Sequence, residues 1–245
     1  MKKALLVGSN GFLGAYWAEI LHENNFETYG ISVGENCEPV KKENFTYYDV
    51  SSVEWKNFIF EYLLKLKPEV IVYNAGIDSP PGKGSSQLMD FDIEGWRKIF
   101  EVNLFAAVSL LNAISAINDF KPRVVVIGSQ YATLSPNKNL YSHMNDGEGS
   151  IKHPGYSSSK FALKAVVKQY ASELAAKGII INMLSPGAIA NSQDSEFVRK
   201  FSERNPIPRL GKRTELGSAL QFLLDEKNTY CVGVDLLIDG GYSVW

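Results

Sequence analysis

Short apolar runs alternate along the chain with longer stretches whose apolar residues recur at helical spacing. Runs at 4–7, 27–33, 46–48, 70–73, 123–127, 179–184 and 234–238 have the length and content of buried strands. The second of these has the length of a buried helical turn as well, but its Tyr29, Ile31 and Val33 favour a strand. Between them, helical periodicity runs through 15–24, 52–67, 93–117, 157–176 and 215–224. Strict alternation of this kind predicts an α/β domain with a parallel sheet and helices on both faces. No repeat, linker or low-complexity segment divides residues 1–245, so one domain is expected.

In such a sheet, ligands bind beyond the carboxyl ends of the strands. Gly8 follows the first strand, Asn74 the fourth, Ser129 the fifth and Pro186 the sixth, so all four should open onto one crevice. The first of these sites is the glycine turn Gly8-Ser-Asn10-Gly11-Phe12-Leu13-Gly14 between strand and helix. Gly8 permits the tight turn, Gly11 the approach of a pyrophosphate, and Gly14 close packing of helix on strand. The amides of the following helix then face the phosphates with the positive end of the helix dipole behind them.

The second chemical feature is Tyr156-Ser-Ser-Ser-Lys160. Four residues apart on a helix, a phenol and an ammonium share one face. A free tyrosine, with a pKa of about 10, is a poor base at neutral pH. A cation within about 4–6 Å favours the phenolate and brings proton transfer toward the working range.

With the glycine turn come Asp49-Val50, Asn74-Ala75-Gly76, Asn103, Ser129, Tyr156 with Lys160, Pro186-Gly187 and Asp239-Gly240-Gly241, in that order. In this order they resemble the short-chain dehydrogenase/reductase family over essentially the whole chain. The resemblance implies a doubly wound Rossmann sheet and oxidation or reduction of a secondary alcohol or ketone with NAD or NADP. It implies that Tyr156 is the general acid/base and that Lys160 lowers its pKa and holds the cofactor ribose. It further implies that Ser129 bonds the reacting oxygen and that Asn103 stabilises a water that relays protons to the lysine. By the same transfer Asp49 meets the adenine amino group, with Val50 lining the ring pocket. Asn74, Ala75 and Gly76 brace the adenosine side, while Pro186-Gly187 bends the Ile189 backbone toward the nicotinamide carboxamide. Asn191 stands where many members have threonine.

Three features depart from the family pattern. Phe12 takes the place of the usual middle glycine, a spacing closer to the longer, sugar-nucleotide branch. After the second strand, Ser32-Val33 supplies neither the acid that selects NAD nor the arginine that selects NADP; Glu35 is a loop residue within reach. Between Ser129 and Tyr156 lies an insert, about 140–153, expected over the active site. Gln130 and Tyr131 beside Ser129, with Tyr141 and His143 of the insert, are the candidate substrate contacts. Neither His143 nor His153 has a partner at metal-ligand spacing, so no metal site is expected. A polar insert suits a polyhydroxylated substrate. Pro136 to Tyr141, Pro154-Gly-Tyr156, Asn191-Ser-Gln193 with Phe197, Ile207 to Gly211 and the final Asp239 to Trp245 resemble the bacterial subgroup of flagellin-modification, legionaminic-acid-type oxidoreductases.

Charge and composition narrow the partners. With 25 basic against 27 acidic residues, a net charge of −2 suggests no nucleic-acid partner. Two cysteines, Cys37 and Cys231, read as reduced thiols of a cytoplasmic protein. The glycine turn interrupts the first apolar run after Val7, too early for a signal peptide, and no run approaches the roughly 20 residues of a membrane span. The apolar helices around Asn103 and Tyr156, as the resemblance implies, pair into a homo-oligomer, a tetramer or a dimer. Two readings besides sugar oxidoreduction remain: a 3-oxoacyl-carrier reductase, and a dinucleotide-sensing regulator without turnover.

Overall fold

The computed structural model describes residues 1–34, 40–78, 81 and 86–244. Seven strands form one parallel sheet in the order β3-β2-β1-β4-β5-β6-β7. They are β1 (Lys2–Val7), β2 (Phe26–Ser32), β3 (Phe45–Tyr47), β4 (Val70–Tyr73), β5 (Arg123–Ile127), β6 (Ile180–Pro186) and β7 (Asp235–Ile238). The helices are α1 (Gly14–Glu23), α2 (Trp55–Leu66), α3 (Ile93–Phe100), α4 (Ala106–Ala116), α5 (Pro154–Leu174), α6 (Ser195–Arg204) and α7 (Gly217–Leu224).

The central strands are apolar on both faces because both are covered. Side chains alternate across the sheet. Leu5 and Val7 of β1, Ile71 and Tyr73 of β4, and Val124 and Val126 of β5 enter one core with α2, α4 and α5. Ala4 and Leu6, Val70 and Val72, and Val125 and Ile127 enter the other, with α1 and α7. A one-residue slip of any of these strands would exchange the two sets. The chain reverses its winding between β1 and β4, which pair from Ala4↔Val70 to Val7↔Tyr73. Beyond their carboxyl ends, at this topological switch point, is where sheets of this kind place a ligand cleft.

Two elements differ from expectation. The helix expected over 93–117 is interrupted by a π turn, Glu101–Phe105, with Asn103 at its centre. Counted as one rod, Ile93–Ala116 has 24 residues and is long and apolar enough to cross a bilayer, contrary to the expectation that nothing here is. Of its most apolar window 56% is buried inside the protein, as in a core helix. Helix α6 went unforeseen, although its signals are local. Asp194 caps it, accepting from the Phe197 amide at 2.8 Å, and Phe197 and Phe201 fall one turn apart on its buried side. Elsewhere α5 starts at Pro154 rather than 157, because His153 Nδ1 accepts from the Gly155 amide at 3.0 Å and proline suits the first turn.

Candidate active site

The glycine turn is held by backbone and amide contacts. Gly8 has φ +82°, donates to Ile31 O at 2.7 Å, and lies so close to the chain after β4 that a Cβ would stand 2.6 Å from Ala75 N. Only glycine fits there. Asn74 spends both ends of its amide on this turn: Nδ2 donates to Gly8 O at 2.8 Å and Oδ1 accepts from Trp17 Nε1 at 2.9 Å. Its role in this structure is to tie turn, α1 and β4 together. Gly14 packs so tightly on the turn that a Cβ would overlap the Ser9 carbonyl. At the start of α1, Leu13 provides no side-chain cap and no acidic residue occupies the first turn. The leading amides of this helix are therefore free of an internal anion, which fits the phosphates of a dinucleotide.

Asn10 bridges this turn to the end of β2, pairing with the Ser32 hydroxyl and the Val33 carbonyl. The Ser32 hydroxyl is thus engaged within the protein; Glu35 lies outside the described residues. Phe12 is exposed at the turn. Asp49 points outward beyond β3 and accepts from the amide and hydroxyl of Ser51 at 2.8 and 2.7 Å. Val50 is packed in the core with Trp55. Across the cleft, Pro186 ends β6 and Gly187 donates to Ile238 O at 2.8 Å. A Cβ on Gly187 would meet Asp239 at 2.6 Å and Gln130 Oε1 at 3.3 Å, so these three residues crowd together. The buried Ile189 lies in a short bridge with Gly211, and its carbonyl accepts from Gln193 Nε2 at 2.8 Å. The Asn191 amide donates to Gln193 Oε1 at 2.8 Å.

Asn103, Ser129, Tyr156 and Lys160 come together between β4, β5 and α5. The π turn swings the fully buried Asn103 side chain out of the helix ladder and onto the segment that follows β4. There its Oδ1 accepts from the Ile77 amide at 2.7 Å and its Nδ2 donates to Ile77 O at 2.9 Å and to Ser159 Oγ at 3.1 Å. Ser159 in turn donates to Tyr156 O at 2.7 Å, so Asn103 ties α3–α4 to the first turn of α5. Gly76 lies beside both Asn103 Oδ1 and Lys160 Nζ, each 3.4 Å from where a Cβ would stand. Lys160 Nζ donates to Ile127 O at 3.2 Å and lies 5.9 Å from the centroid of the Tyr156 ring. Ser129, in extended backbone at the end of β5, accepts from the Tyr131 amide at 3.2 Å, and its hydroxyl neighbours the Tyr156 phenol.

Burial dominates the titration of this pair. It pulls the Lys160 ammonium down to about 8, opposed by the Asp78 carboxylate. It pushes the Tyr156 phenol up, as does Asp78, while the neighbouring Ser129 hydroxyl works the other way. Tyr156 as a residue is nevertheless only half-buried. It lies in the first turn of α5, where the positive end of the helix favours a phenolate. A phenol so placed can give a proton to, or take one from, an oxygen held beside Ser129.

The insert builds the outer wall. Tyr131 stands edge-on to Tyr156, with centroids 6.3 Å apart, and its phenol is pushed up to about 12 by burial, with the neighbouring Tyr141 and Gln130 side chains working the other way. Tyr141 is itself buried against Phe197, in a cluster with Leu140, Phe201, Leu210 and Tyr242. His143 faces α6 rather than the phenol: Nε2 lies 2.8 Å from Asp194 Oδ1 and Nδ1 3.3 Å from Lys200 Nζ. His153 is packed between Phe91 and Trp96. Gln130 is almost wholly buried, and its Oε1 has no hydrogen-bond partner among the described residues. Sequence reasoning missed Lys152 and Asp78. Their ion pair closes over the Tyr156 ring, with Lys152 Nζ 4.8 Å from its centroid. One signal was available: Lys152 precedes Tyr156 by the same four residues by which Lys160 follows it.

A model of the dehydrogenase/reductase type, described as Enoyl-(Acyl carrier protein) reductase, matches residues 32–243. The chain belongs to the short-chain dehydrogenase/reductase family. Relatives span its length: the 3-oxoacyl-(acyl-carrier-protein) reductase FabG of Buchnera aphidicola (subsp. Acyrthosiphon pisum) is 26% identical, covering 97% of this chain and 96% of its own. The 2-dehydro-3-deoxy-D-gluconate 5-dehydrogenase of Bacillus subtilis is likewise 26% identical, over 98% and 94%. The crystal structure of a short chain dehydrogenase from Leptospira borgpetersenii with bound NAD+ superposes with a TM-score of 0.84, at 22% identity, over 99% of this chain and 92% of that one. The chain is accordingly an NAD(P)-dependent oxidoreductase acting on CH–OH groups, and its substrate is a small molecule.

Proposed function

We propose that the chain interconverts a secondary alcohol and a ketone on a sugar or sugar derivative, with Tyr156 as the group that moves the proton. The observation that carries this reading is the wall facing Tyr156. Tyr131, edge-on to the Tyr156 ring, and the Lys152–Asp78 pair beside it place polar groups where an acyl chain would need an apolar slot. The nicotinamide, when bound, supplies or accepts the hydride. Ser129 and the Tyr156 phenol hold the reacting oxygen between them. Lys160 stands where it stabilises the phenolate. Asn103 fixes the first turn of α5 through Ser159. Gly8, Gly11, Gly14 and the uncapped start of α1 receive the phosphates. Gly187 and Ile189 line the nicotinamide side, and Asn10 and Asp49 lie toward the adenosine.

The insert residues that resemble the flagellin-modification subgroup support a substrate in surface-glycan synthesis. The near-full-length likeness to FabG favours a second reading, reduction of a 3-oxoacyl thioester. Turnover with NAD(H) and NADP(H) against glucose, gluconate, amino sugars and acetoacetyl thioesters separates the two. Activity on the thioester alone overturns the sugar reading. Inactivity on every compound, with tight dinucleotide binding, favours the regulator. For assembly, Phe105 and Phe161 lie exposed on the helices beside the site, apolar surface that suits a second copy. Light scattering should give a tetramer, and a stable active monomer of 27.2 kDa would refute it.

A further inference from the structure

The charged groups that face Tyr156 come from three elements. Lys160, on α5 itself, lies 5.9 Å from the ring centroid. Lys152, from the segment before α5, lies closer, 4.8 Å over the ring, and also 5.7 Å from the Tyr131 centroid. Asp78, after β4, is ion-paired to Lys152. From the turn after β5 come two neutral neighbours, Tyr131 edge-on and the Ser129 hydroxyl. The Lys152 side chain is 6% exposed and that of Asp78 42% exposed, so the cation is enclosed and its counter-ion stands at the rim.

We propose that the Lys152–Asp78 pair sets how readily Tyr156 ionises, Lys152 acting as a positioning residue through the phenol. A cation over an aromatic face is attracted to it, and more strongly once the ring carries the charge of a phenolate. An enclosed ammonium requires a partner, and Asp78 supplies one. The two charges act on the phenol in opposite senses. Lys152 favours the phenolate and Asp78, which also opposes ionisation of Tyr156 by its own field, disfavours it. Removing one partner therefore leaves the other uncompensated beside the phenol. This inference rests on Tyr156 being the proton-transfer group only for its meaning in catalysis; the electrostatics stand alone.

The test is the ionisation of Tyr156, followed by NMR of the full chain labelled with carbon-13 at the phenolic carbon of tyrosine. The signal is assigned by its loss in Tyr156→Phe. Lys152→Met should raise the midpoint by about 1 pH unit and Asp78→Asn should lower it by about as much. The double variant should fall between them, and Lys152→Arg, which keeps the charge, should stay near the parent. If the parental phenol is still protonated at the highest pH the fold survives, Asp78→Asn must show the greater phenolate fraction there. Shifts of one sign in both single variants, equal fractions, or an arginine variant that moves as far as the methionine one would overturn the proposal, since a packing role predicts those. Turnover of Tyr156→Phe decides the catalytic reading separately. An active phenylalanine variant with opposed shifts removes that reading and keeps this one; an inactive variant with like-signed shifts does the reverse.

Discussion

On the β1–α1 side of the cleft the polar groups hold one another: Asn74 grips Gly8 and Trp17, Asn10 grips Ser32 and Val33, and glycines remove every Cβ that would intrude. On the β5–α5 side ionisable side chains crowd together, with Tyr156, Tyr131, Lys160 and Lys152 all strongly buried or half-buried around one carboxylate. On the proposed function the first side would recognise a constant molecule through backbone, which calls for fixed shape and low charge. The second would change protonation during turnover, which calls for groups whose burial and neighbours pull their pKa values apart. Shape errors should therefore disable one side, and charge errors the other.

The largest expected effect breaks the chemical side without touching the shape side. Tyr156→Phe keeps the ring and removes the proton. Turnover should fall by about 10²–10⁴-fold while dinucleotide affinity stays, as read by steady-state kinetics and cofactor titration. Lys160→Ala should lose both. A phenylalanine variant at parental rate would show that the proton moves by another route.

The converse change is Gly8→Ala. At φ +82°, with a Cβ 2.6 Å from Ala75 N, the substitution forces backbone apart and should cost about 2–4 kcal/mol in denaturant unfolding, together with nucleotide binding. A variant as stable as the parent would mean the turn can relax, and the contrast between the two sides would lose its basis.

A smaller effect concerns cofactor choice. Ser32 is committed to Asn10, and Val33 is apolar, so neither position discriminates between the two riboses. The ratio of kcat/KM for NAD and NADP should stay within roughly tenfold; a preference beyond about 10³, over 4 kcal/mol, would point to a determinant elsewhere.

The smallest lies at the insert. Burial lowers the His153 pKa below its ordinary 6.5, so between those two values the unfolded chain binds more protons than the folded one. The stability contributed by neutral His153 is present above about 6.5 and is lost as pH falls below it. His153→Asn keeps an acceptor at the start of α5 and should flatten the stability–pH curve just below that point, measured by urea unfolding. An unchanged slope would place the acid sensitivity on other groups.

The sequence by itself determined the strand–helix alternation, the parallel sheet and the glycine turn. Each is encoded within one strand or one turn of chain: short continuous apolar runs and period-3.6 burial, a glycine where φ must be positive, a phenol and an ammonium four residues apart. Helix α6 was legible in the same way, through Asp194 and the Phe197/Phe201 spacing, and was overlooked. What only the tertiary structure decided is the environment of the phenol. The side chain of Asn103 reaches Ile77 rather than its own helix because a π turn redirects it, and sequence periodicity does not register one extra residue in a turn. Lys152 and Asp78 are separated by most of β4–α5, and their meeting over Tyr156 depends on how the insert docks. His143 turns to α6 for the same reason. Burial and pairing across such distances arise from packing between elements, which no local pattern specifies.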